Sequence, residues 1–146
     1  MKILNIRLIC FIVIFCVFEG TALAGGPKIT VSESWIREAP PGAGMMAGYM
    51  NIKNNTSKSI MFKEAISSEF ESIMIHQSVM KDGMMQMHHL SNIAIAPGKT
   101  LIFEPGGLHL MLMNPNKALK EGDVVKIKLL FNNGVNTVSE FKVKKN

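Results

Sequence analysis

Two imidazoles and two thioethers stand at His76, Met87, His109 and Met111, with ten, twenty-one and one residues between successive members. Thioether sulfur is a soft, uncharged donor that magnesium and calcium ignore, and imidazole suits copper and zinc, so a mixed shell of the two selects monovalent copper. Taken singly, each residue has a plainer use. A methionine on an apolar strand most often fills a core, and a lone histidine usually satisfies a local hydrogen bond. Convergence of both residue types on one end of the molecule is what would make them a metal centre.

That convergence requires strands. Beyond residue 24 the apolar pattern alternates in short stretches punctuated by Gly, Pro and Asn, which predicts an all-β sandwich. Candidate strands are Ile29 to Arg37, Met46 to Asn54, Ser59 to Ser67, Ser72 to Gln77, Met84 to His89, Thr100 to Phe103, His109 to Met113, Val124 to Phe131 and Val138 to Val143. Turn formers separate them: Ala39-Pro40-Pro41-Gly42, Asn54-Asn55, Lys81-Asp82-Gly83, Pro97-Gly98, Pro105-Gly106-Gly107 and Asn132-Asn133-Gly134. Residues two apart in a strand share a face, so His109 and Met111 form a ready pair while Leu110 and Leu112 face the other way. By the same rule Met85, Met87 and His89 share one face, opposite Met84, Gln86 and His88. His76 precedes a loop returning through Asp82-Gly83, so it is expected to meet Met87 across an antiparallel pair.

The compartment decides which metal chemistry is open. Lys2 and Arg7 precede an unbroken apolar run from Leu8 to Phe18, and Ala22-Leu23-Ala24 offers small residues for cleavage. Eleven apolar residues are too few for a helix across a bilayer, so residues 1–24 read as a secretory signal peptide and 25–146 as one exported domain. Both cysteines, Cys10 and Cys16, fall inside that run without lipid-attachment context. The exported part thus has no thiolate for a blue-copper centre. Removing Lys2, Arg7 and Glu19 from the 16 basic and 11 acidic residues leaves 14 against 10. That mild excess, with a small cluster at Lys142, Lys144 and Lys145, lacks the basic stripe and interleaved aromatics of a nucleic-acid binder.

The chain also resembles a known family, the periplasmic copper chaperones often called PCuAC. The similar segments are Trp35 to Gly42, Gly48-Tyr49-Met50, Met74 to Gln77, Asp82 to Met87, Pro105 to Met113 and Leu119 to Asp123. The family's ligand pattern maps without gap onto His76, Met87, His109 and Met111. The resemblance implies a cupredoxin-like Greek-key β-sandwich that binds Cu(I) near solvent in the periplasm. It implies delivery to the CuA domain of cytochrome c oxidase subunit II, directly or through a Sco-type thiol protein. Relatives with a second, Cu(II)-binding site carry a His- and Met-rich tail that this sequence lacks, so one Cu(I) per chain and a monomer are expected.

Two imidazoles and two thioethers add no charge, which suits a low-valent ion and lets a thiolate-rich acceptor win it. His89 lies on the Met87 side and reads more readily as a bystander than as an alternative or supporting ligand, and Met113 as a shield or packing residue. Met45, Met46 and Met80 read as loop-edge residues, Trp35 and Tyr49 as core and corner, and Glu64, Glu69 and Glu71 as surface charges. No nucleophile elbow or phosphate loop occurs, so no enzyme is expected. Two other classes remain: an envelope copper-sequestration or resistance protein using the same ligands, and a metal-free binding module.

Overall fold

The computed structural model describes residues 28–132 and 134–145. The export signal read at residues 1–24 and the turn residue Asn133 lie outside them. The described residues form ten strands and no helix: β1 Ile29–Arg37, β2 Met45–Asn54, β3 Ile60–Ile66, β4 Phe70–Lys81, β5 Met84–Leu90, β6 Ile93–Ile95, β7 Thr100–Phe103, β8 Leu108–Pro115, β9 Val124–Phe131 and β10 Asn136–Lys144. The all-β expectation holds.

Hydrogen bonding runs in the order β5-β4-β8-β2-β1-β10-β9-β3-β6, with β7 also on β2. Only β1 and β10 pair in parallel, through Trp35↔Lys142, Ile36↔Val143 and Arg37↔Lys144. This long path folds over a single core, because one face of almost every strand is hydrocarbon. Ile75, Leu110, Leu112, Met46, Met50 and Ile52 from one half meet Phe62, Ile127, Leu129, Phe141 and Val143 from the other. Phe62 lies at the centre, edge-on to Phe103 at 5.9 Å and tilted against Phe131 at 5.5 Å. Met46, expected at a loop edge, is instead a core residue. Its place in β2 alternates inward with Gly48 and Met50, so the strand pattern governs it.

Three local features hold these strands in place: a hairpin turn, a buried amide and a bulge. Asp82 (φ 52°) and Gly83 (φ 76°) form the two-residue link between β4 and β5. Two successive positive φ values define the hairpin turn whose twist matches the flanking strands, and an Asp-Gly pair tolerates it at little cost. Asn54 is fully buried, and its amide donates to Lys58 O (2.8 Å) and Ile95 O (2.9 Å). Those bonds tie the short β6, which pairs with β3 through Ile60↔Ile95, to the end of β2. A bulge between Ser32 and Trp35, with Glu33 at φ 54°, re-aims the end of β1.

Candidate metal centre

The strands that carry the expected donors are neighbours. β8 lies between β2 and β4, and β5 is the edge strand beyond β4. On β8, Leu110 and Leu112 point into the core at 0% exposure, so His109 and Met111 are turned to the opposite face. Register brings the rest alongside: His76 of β4 faces His109, and Met74 faces Met111. On the other side of β4, His76 faces His89 and Ser78 faces Met87. Met87 therefore sits diagonal to His76 in the register rather than directly opposite it. β4 runs to Lys81 instead of ending at Gln77, because Ser78 to Lys81 continue the ladder with β5.

An open cleft of about 240 Å³ is lined by Met87, His109 and Met111, together with Met45, Ala47 and the Arg37–Pro40 segment. Three of the four expected donors thus share one space. The fourth, His76, places its ring 6.0 Å from that of His109, centroid to centroid. The two sides of the cleft differ in burial: His109 is 8% exposed and Met87 59%. A further hollow beyond Pro40 and Pro41, reaching Pro115 and Leu119, has no imidazole in its lining.

The histidine nitrogens can be assigned roles from their bonds. His109 Nδ1 lies 3.1 Å from the Gly107 carbonyl, which can only accept, so Nδ1 carries the hydrogen and Nε2 keeps its lone pair. A backbone carbonyl on one ring nitrogen is the usual way a metal-binding imidazole is oriented. His76 Nδ1 is buried without a hydrogen-bond partner. A polar atom stripped of water and left unpaired is costly, and a metal ion would satisfy it. His76 is held below the ordinary histidine pKa, first by burial and then by the proximity of His109 and His89. It consequently stays neutral, as a ligand must be, further into acid than a free imidazole. These features fit a copper ion bound by neutral, soft donors.

Nearby, Trp35 and Tyr49 stack at 4.6 Å, and the Arg37 guanidinium sits 5.7 Å from the centre of the Tyr49 ring. Burial raises the Tyr49 pKa, and Arg37 works against that rise. Arg37 Nε is buried without a partner at the rim of the cleft.

His89 is a further imidazole that the register brings beside His76. The signal was present: Asp82-Gly83 makes a two-residue hairpin, Lys81 faces Met84, and stepping outward equally on both strands brings His76 opposite His89. Their ring centroids lie 5.6 Å apart.

The fold defines a class, the all-β domains of cupredoxin-like architecture. The copper-bound PCuAC domain from PmoF2 superimposes with a TM-score of 0.70 at 20% identity, covering 82% of this chain and 95% of that one. The solution structure of CuI-DR1885 from Deinococcus radiodurans aligns with a TM-score of 0.67 at 26% identity, over 86% of this chain and 84% of that one. The cupredoxin-like fold expected from the sequence is therefore the fold observed. More particularly, residues 29–143 match the family described as "Putative lipoprotein LpqE-like", and the chain belongs to that family. A relative from Leifsonia xyli subsp. xyli, named "Putative lipoprotein Lxx21020", is 35% identical over 107 residues, 73% of this chain and 63% of its own length. A second, from Rickettsia prowazekii, is 28% identical over 98 residues, 66% of this chain and 54% of its own. The chain thus spans just over half to under two thirds of the curated relatives it matches.

Proposed function

We propose that this protein binds one Cu(I) through His76, Met87, His109 and Met111 and carries it to an acceptor in the bacterial envelope. The observation that carries this reading is the shared cleft: Met87, His109 and Met111 line it, and the His76 ring adjoins His109. The copper-bound and CuI titles of the two structural neighbours support copper as the cargo. The lipoprotein names of the family and its relative support an exported location, and we assign the periplasm.

The geometry favours carriage over tight storage. His109 is fixed by Gly107 on a central strand, whereas Met87 stands on an exposed edge strand. An acceptor thiolate would enter on the Met87 side, displace that neutral sulfur first, and then take the ion from the remaining donors. A charged soft donor outcompetes a neutral one, which gives the transfer its direction. The acceptor class that fits is a thiolate copper site, such as the CuA domain of cytochrome c oxidase subunit II or a Sco-type thiol protein. Arg37 of β1 is the register partner of Lys144 of β10, and Lys142, opposite Trp35, lies two residues along the same strand, so an acidic acceptor surface would be drawn to this side.

The test is a Cu(I) titration against a competing chelator, followed by mixing with a CuA domain or Sco-type protein. Stoichiometric binding and rapid handover are expected. Unchanged Cu(I) affinity in a Met87→Ala, Met111→Ala double variant would remove the site, and tight binding without handover would make the protein a sequestration factor.

A further inference from the structure

Three imidazoles stand in one row across adjacent strands: His89 on β5, His76 on β4 and His109 on β8. The centroid separations are 5.6 Å from His76 to His89 and 6.0 Å from His76 to His109. Imidazoles that bind one ion through nitrogen at about 2.0–2.1 Å have ring centroids roughly 4.5–5.5 Å apart. The two neighbouring pairs exceed that range by little, whereas His89 and His109 stand two strands apart, roughly 9.5 Å by strand spacing, so the His89 ring must turn inward over His76 to share an ion with His109. As they stand, no three His, Cys, Asp or Glu side chains among the described residues jointly enclose an ion-sized space. His89 is exposed, however, and an exposed side chain changes rotamer within nanoseconds. His76 offers an unpaired buried Nδ1 beside it, and His109 keeps Nε2 free.

We infer that His76, His89 and His109 together form a site for a borderline divalent ion, Cu(II) foremost. This rests on the proposed copper centre only in sharing two of its histidines. The ligand preference follows from donor softness. Thioether sulfur suits Cu(I), whereas a divalent ion of intermediate hardness prefers imidazole nitrogen, and Cu(II) binds such nitrogen sites most strongly among first-row divalent ions. With Cu(I), the exposed strand β5 contributes Met87; with Cu(II), it contributes His89, two residues along on the same face. His88, on the opposite face of β5, has no part in it.

The experiment uses the full chain without a histidine tag, loaded with one equivalent of Cu(II) and read by electron paramagnetic resonance and chelator competition. Wild-type protein is expected to show three coordinated nitrogens. His89→Ala should lose one nitrogen and bind Cu(II) roughly tenfold more weakly or worse, with Cu(I) affinity unchanged. His88→Ala should match the wild type in both metals. An unaltered Cu(II) spectrum in His89→Ala would overturn the inference, as would an equal loss in His88→Ala, which would mark adventitious binding by surface histidines. Absence of Cu(I) binding alongside His89-dependent Cu(II) binding would overturn the proposed Cu(I) centre and leave this site standing.

Discussion

β8 and β5 both present imidazole and thioether to the same side of the sheet, yet they hold them in opposite ways. β8 is flanked by β2 and β4, its inward Leu110 and Leu112 are fully buried, and its His109 is tied to Gly107. β5 has a ladder on one side only, and Met84, Met85 and Met87 are all more than half exposed. A cleft built this way has one wall set by core packing and one that yields. The fixed wall favours capture in a defined geometry, because little ordering remains to be done on binding. The yielding wall lets a ligand leave without disturbing the core.

Substitutions on the two strands should separate these roles. Leu112→Ala, behind the fixed wall, should cost about 2–5 kcal/mol of stability by chemical denaturation, and copper binding would fail with the fold. His109→Ala should leave the thermal midpoint nearly unchanged, because Gly107 O still accepts from Ser78 N at 3.1 Å. Its Cu(I) affinity should fall by about 100-fold or more, beyond the usual loss for an outer-shell partner. Met87→Ala should be milder, about tenfold in affinity, with faster release in stopped-flow transfer; an effect equal to that of His109→Ala would erase the contrast between the walls.

Two smaller effects sharpen it. Gly83→Ala places a side chain at φ 76°, where no neighbouring atom obstructs but the backbone itself is strained. About 1–2 kcal/mol of that strain should loosen the hairpin, raising amide exchange in β5 but not in β8. The smallest effect is on pH. His76 binds its proton less readily in the folded protein than in the unfolded chain, so below the ordinary value near 6.5 the unfolded chain holds more protons. Stability of the metal-free protein should therefore decline as pH falls from about 6.5, and His76→Gln should flatten that decline in denaturant melts.

Much of this arrangement was legible in the sequence, and the gaps have physical causes. β1, β7 and β9 were bounded correctly because Pro, Gly and Asn flank clear alternation. β6, only Ile93-Ala94-Ile95, is too short to show a period and exists because Asn54 holds Ile95 O. The far end of β4 reads as loop, since Ser78 and Lys81 are polar, and becomes strand only when β5 pairs with it. The face shared by His109 and Met111 followed from period two alone. The proximity of His76 to His109 did not, because β4 and β8 are distant in sequence and only tertiary register joins them.

The exposure of Met87 would carry a cost wherever oxidants reach the protein. Peroxide that reaches a thioether adds oxygen to sulfur and leaves a sulfoxide, a polar group that is no longer a soft donor. Met87, at 59% exposure, is open to that attack, while Met111 is partly sheltered between β2 and β4. Oxidative damage would thus begin on the edge strand, at the most accessible of the proposed donors, while the more sheltered ones remained intact.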